Sequence, residues 1–147
     1  GSLISRRALD AVGDMEEQLF IDHVDTEWFL RARARGFKAF GVCDAVMSHS
    51  LGSRTLRVWL GRWRHVPGHS PLRHYYIFRN SILLYRRPYA PGKWICNDVV
   101  RLLFMLAYYP LRTPPRLEHL RMMLRGAWDG LRGRAGKLKP AETGSSR

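Results

Sequence analysis

A chain of 147 residues with 46% hydrophobic content has enough apolar material for one modest core, which excludes a wholly disordered tail. Its formal net charge of +13 points to anionic partners such as phosphates, membrane lipids or nucleic acid. Cys43 and Cys96 lie far apart without finger spacing, so neither a disulfide framework nor a zinc finger is indicated, and a reducing, cytoplasmic setting fits.

The charge is uneven. Residues 1–29 hold Asp10, Asp14, Glu16, Glu17, Asp22, Asp25 and Glu27 against only Arg6 and Arg7, so the opening is acidic and the body strongly basic. No signal-peptide pattern stands in the opening residues. Gly1–Ile4 reads as the end of a strand or loop, and a chain opening there is expected to be a fragment. Ser5 as N-cap and Gly13 as stop predict a short helix between them.

The next stretch, Phe20 to Gly36, places three acids ahead of a run of strong helix formers that ends on a glycine suited to the left-handed position. Asp25 falls where an N-cap belongs, its carboxylate near unsatisfied backbone N–H groups and the positive end of the helix dipole. A fixed carboxylate in such a place suits a general base. The plainer alternative is that Asp25 only caps the helix and Glu27 only pairs with Arg31 one turn on.

Residues 37–42 and 45–50 are short β-prone runs, predicting two strands, or a strand and an extended edge, with His49 at a strand end, an α/β arrangement in which site residues sit where strands give way to loops. Arg54 to Val66 sets Leu56, Trp59, Leu60, Trp63 and Val66 on one face of a predicted basic amphipathic helix, and Pro67-Gly68-His69 breaks it. Ser70-Pro71 then starts a helix expected to run to Arg87, before Pro88. Within it Arg73, Tyr76, Arg79 and Asn80 share a polar stripe, whose burial without a partner would be costly.

Beyond Gly92 the segment from Trp94 to Tyr109 is apolar apart from Asn97, Asp98 and Arg101, and its longest uncharged run, residues 102–111, is too short to span a bilayer. Pro114-Pro115 opens a last helix. There Leu117, Leu120, Met123, Leu124, Ala127, Trp128 and Leu131 form one stripe against several arginines, the pattern of a helix lying in a membrane interface or docking on its own domain. After Arg134 the composition predicts a disordered tail.

Four stretches, in their order and spacing, carry a family resemblance: Gly1-Ser2-Leu3-Ile4-Ser5, Phe20 to Ala32 with Asp22, Asp25 and Glu27-Trp28, Ala45 to Gly52 with His49, and His69 to Asn80. Together they resemble the C-terminal half of an inverting family-2 glycosyltransferase of GT-A fold, nearest the bacterial rhamnosyltransferase branch. The likeness covers about residues 1–90, and several linked motifs make it more specific than one alone.

The resemblance implies an α/β fold in which residues 1–90 form the acceptor and catalytic-base half of the domain, the N-terminal nucleotide-binding half being absent. Residues 91–134 would be a basic amphipathic helical extension and 135–147 the tail. Asp25 takes the place of the family's base, although Val24 stands where an acid usually precedes it. His49 corresponds to a ligand for a divalent metal, Mg²⁺ or Mn²⁺. Glu27, Trp28, His69, Arg73, Tyr76, Arg79 and Asn80 fall where substrate contacts are expected, Trp28 walling the acceptor pocket and the helix side chains closing over a diphosphate. The implied partners are a nucleotide-diphospho-sugar donor such as dTDP-rhamnose, a glycan or lipid-linked acceptor and the inner face of the cell membrane, in cell-envelope polysaccharide synthesis, with no nucleic acid. The competing expectation is a basic membrane-surface or nucleic-acid-binding module without chemistry, which explains the charge but not the linked acids and His49.

Overall fold

The computed structural model describes residues 2–46, 55–59 and 63–138, with the backbone alone for 55–59 and 63–67. Among the described residues there are five α-helices, α1 (Arg6–Val12), α2 (Val24–Ala34), α3 (Pro71–Tyr85), α4 (Gly92–Arg112) and α5 (Arg116–Leu131), with a short 3-10 turn at Glu17–Leu19. Between α2 and α3 stands an antiparallel hairpin, β1 (Thr55–Trp59) and β2 (Trp63–Pro67), in register from Thr55 opposite Pro67 to Trp59 opposite Trp63.

This overturns the α/β expectation and with it the GT-A half-sheet. Residues 37–42, expected as a strand, are irregular, because an extended segment keeps its backbone groups satisfied only beside a partner and none of the described residues pairs with it. The second expected strand lies partly outside the described residues. The helix expected over 54–66 is also corrected, since both of its halves are strands. Leu-Arg-Val-Trp and Trp-Arg-His-Val are rich in β-formers, and Gly61 between them would cost a helix about 1 kcal/mol.

Three further sets of helix signals act as read. The Ser5 hydroxyl accepts from the Ala8 amide at 3.2 Å, and Gly13 follows α1 at φ 84°. Ser70 accepts from Arg73 N at 3.3 Å, with Pro71 opening α3. Gly36, at φ 85°, takes the left-handed turn beyond α2. α4 runs past Pro110, which lies in its last turn, where the lost N–H breaks a single helical bond.

α5 lies against α3 at close range. Gly126 and Gly130 face it, and a Cβ on Gly126 would stand 2.2 Å from the Tyr75 carbonyl oxygen. Small residues four apart on one face let two helix backbones approach this closely. The resulting core joins Ile77 and Phe78 of α3, Leu102, Met105 and Tyr109 of α4, and Met123 of α5. A second cluster packs α1 on α2 through Ala8, Val12, Trp28 and Ala32. Leu19, Leu30 and Leu84 join the two halves.

The stripe expected on α5 is divided: Met123 faces the core while Leu117, Leu124, Trp128 and Leu131 are exposed. Of the tail expected from residue 135, residues 135–138 are described and the rest lies outside the described residues. Gly136 N donates to the Gln18 carbonyl at 2.6 Å and Leu138 N to the Tyr76 hydroxyl at 2.9 Å.

Candidate functional site

A cleft of about 340 Å³ opens where the approach to α2, the start of α3 and the first half of α4 converge. Asp22, His23 and Thr26 line it from the first, His69, Arg73 and Ile77 from the second, and Trp94, Asp98 and Arg101 from the third.

The loop delivering Asp22 and His23 is strained. Phe20, Asp22 and His23 have φ of 64°, 61° and 63°, a left-handed conformation that costs a non-glycine residue on the order of 1–3 kcal/mol. Buried groups on α3 hold it there. The Asn80 amide nitrogen lies 2.9, 2.8 and 2.9 Å from the carbonyl oxygens of Leu19, Ile21 and Asp22. Arg79, 1% exposed, donates to the Leu19 carbonyl at 3.0 Å and to the Asn80 side-chain oxygen at 2.9 Å, and also to the Gly136 carbonyl. The Arg79 and Asn80 part of the polar stripe on α3 thus finds its partners in backbone carbonyls.

Within the cleft, charges are matched. Arg73 grips Asp22 with Nη2 to Oδ1 at 2.8 Å and Nε to both oxygens at 3.0 and 3.1 Å. Asp98 receives the Tyr85 hydroxyl at 2.7 Å and Arg101 Nε at 2.8 Å. Burial raises the Asp98 carboxyl, but hydrogen bonds from Ser81 and Tyr85 and the Arg101 charge outweigh it and hold the group below its ordinary value.

His23 stands between these pairs. Its Nε2 is 3.2 Å from both the Ser81 hydroxyl and Arg101 Nη2. A guanidinium only donates, so Nε2 accepts and the proton of the neutral ring sits on Nδ1, which is buried without a partner among the described residues. Burial, then the Arg101 charge, pushes this imidazole down to about 4 against smaller opposing pulls from Asp98 and Asp22. Burial and then Arg73 also lower His69. Both rings are therefore neutral at pH 7, hydrogen-bonding groups rather than cations.

The residues singled out in the sequence, His49 apart, divide into three groups. His69 and Arg73 reach the cleft. Asp25 lies in the first turn of α2, not at its N-cap, which is His23; its side chain is exposed, one residue before the cleft-lining Thr26, and forms no hydrogen bond or ion pair among the described residues. The rest are buried within the fold. Glu27, 1% exposed, pairs with Arg31 at 2.9 and 3.0 Å and accepts from the Tyr89 hydroxyl at 2.5 Å. Trp28 donates from Nε1 to the Gly13 carbonyl at 2.8 Å in the α1–α2 core, instead of walling a pocket. Tyr76, 2% exposed, packs its ring 5.2 Å from that of Phe20.

His49 lies outside the described residues, and among those described no group of three or more His, Cys, Asp or Glu gathers to hold a metal. Nor do the cleft carboxylates fit a divalent ion. Asp22 and Asp98 are each committed to an arginine, whose charge would repel a cation at the same oxygens.

Sequence reasoning missed Asp22, His23, Trp94, Asp98 and Arg101 as site residues. One signal was present: Asp98 and Arg101, three residues apart, interrupt an otherwise apolar helix on one side.

Comparison with known proteins finds no matching family model and no matching solved structure. The chain is 32% identical over 136 residues to a protein named dTDP-rhamnosyl transferase RfbF, from Shigella flexneri. The match takes in 92% of this chain but 45% of that protein, so the chain spans less than half the length of the curated relative it matches. Among the described residues no helix is long and apolar enough to cross a membrane.

Proposed function

We propose that this chain, similar over most of its length to a dTDP-rhamnosyl transferase, is the acceptor-side portion of an inverting rhamnosyltransferase. The similarity across 92% of the chain carries this reading. The donor would be dTDP-rhamnose, held by a part of the enzyme that the relative's greater length leaves room for. The acceptor would be a glycan or a lipid-linked sugar of the cell envelope, elongated in the cytoplasm.

Asp25 takes the role of general base. Its exposed carboxylate at the head of α2 removes the proton from an acceptor hydroxyl as that oxygen attacks the anomeric carbon. The bond to the departing nucleoside diphosphate breaks on the opposite face, and configuration inverts. The cleft supports the acceptor side of this reaction. Two arginine–carboxylate pairs, two neutral histidines and the Trp94 ring make a surface of many hydrogen-bonding groups and little net charge, suited to a hydroxyl-rich sugar. A diphosphate would find Arg73 already engaged by Asp22. The metal implied by the resemblance would be held by His49.

The test is sugar transfer from dTDP-rhamnose to a lipid-linked acceptor, using the chain together with its donor-binding part. Asp25→Asn is expected to lower the rate by about 10²-fold or more, as removal of a general base does. Normal transfer by this variant would leave Asp25 as an ordinary first-turn acid and remove the mechanism.

A further inference from the structure

The outward side of α4 has no partner among the described residues, and its composition is unusual for a water-facing surface. Val100 is 66% exposed, Leu103 59% and Leu111 69%, with Phe104 on the same side at 37%. These positions recur at spacings of three, four and seven and so form one stripe along the helix, roughly opposite the buried Leu102, Met105 and Tyr109. α5 repeats the arrangement with Leu117, Leu124, Trp128 and Leu131, each more than half exposed.

The charges around the stripes share one sign. Lys93 and Arg112 stand near the two ends of α4, and Arg116, Arg121, Arg125 and Arg132 run along α5. Asp98 and Asp129 are buried, each held by an arginine, which leaves Glu118 the one exposed acid of the two helices. Apolar stripes bordered by cations of a single sign complement a layer of hydrocarbon beneath anionic headgroups. A second copy would bring the same cations against them.

We infer that the outward faces of α4 and α5 seat the chain on the surface of a bilayer containing anionic phospholipid, with the apolar stripes entering the headgroup boundary and the arginines meeting the lipid phosphates. α4 lies along the surface and does not cross it. The same helix presents Trp94, Asp98 and Arg101 to the cleft, so docking would hold the cleft next to the membrane. This inference stands apart from the transferase reading and can fail separately.

The test is co-sedimentation of the chain with vesicles of phosphatidylcholine containing phosphatidylglycerol, against vesicles of phosphatidylcholine alone. The chain should bind the anionic vesicles preferentially. The double variant Val100→Glu with Leu103→Glu, and separately Leu117→Glu with Leu124→Glu, should each weaken binding by about tenfold or more with an unchanged helical circular dichroism signal. Asp25→Asn should bind as the parent does. Parent-like binding by both double variants would reduce the contact to adhesion of surface arginines and overturn the inference. So would equal binding to both vesicle types, or a lipid-free self-association that the same substitutions abolish.

Discussion

His74 shows how far a residue's chemistry can depart from what its neighbours in sequence suggest. It lies fully buried on α3, its Nδ1 2.8 Å from Nδ1 of an equally buried His119 on α5, so one ring donates and the other accepts. Burial, then the nearby His119, His69 and Arg73, pushes His74 down to about 3, while its Nε2 has no partner among the described residues. The folded value lies below the ordinary 6.5, so the unfolded chain takes up the proton first as pH falls. The stability tied to neutral His74 and His23 is therefore complete above about pH 6.5 and declines below it. Each histidine contributes a slope of up to about 1.4 kcal/mol per pH unit. Urea midpoints measured at pH 7 and pH 5 should differ clearly in the parent and less in His74→Gln; a flat parent profile would contradict this account. None of this was legible beforehand, because the pairing of residues 74 and 119 depends on a helix crossing. Glu27 is the opposite case, since its pairing with Arg31 follows from a spacing of four.

At the scale of elements, local capping chemistry was readable and tertiary placement was not. Ser5, Ser70-Pro71, Gly13 and Gly36 act through the few residues beside them, and each marks its boundary as read. The hairpin escaped notice because Leu56, Trp59, Trp63 and Val66 satisfy a helical period, although pairing between the two halves decides the outcome. The α5 stripe was found, but a stripe running round much of a helix does not say which part faces α3; the glycines decide that. Gly126→Ala should gain roughly 1 kcal/mol of helix propensity yet lose more, because the new methyl would meet the Tyr75 carbonyl and force α5 away from α3. A net loss of about 2 kcal/mol or more in denaturant unfolding is expected. Gly92→Ala, where a Cβ meets nothing within 4 Å, is the control and should be neutral or slightly stabilising.

Across the whole molecule, Arg79 joins segments that are remote in sequence. Its guanidinium bonds to the carbonyls of Leu19 and Gly136, and its plane lies over the Tyr76 ring with 4.9 Å to the centroid. The sequence marked Arg79 and Asn80 as polar groups in need of partners, but backbone carbonyls near residue 20 carry no side-chain signature to reveal that they are those partners. Arg79→Met should leave α4 and α5 helical while amide hydrogen exchange quickens at Phe20, Ile21 and Gly136 together. Acceleration at Gly136 alone would mean that the loop keeps its form without the arginine. The clamp also bears on how the protein is made. Asp22 and His23 leave the ribosome before the arginine and asparagine that fix their backbone, which come some sixty residues later, and the glycine completing the clamp comes later still. The part of the cleft carried by Asp22 and His23 therefore cannot take its final shape until Gly136 has been translated.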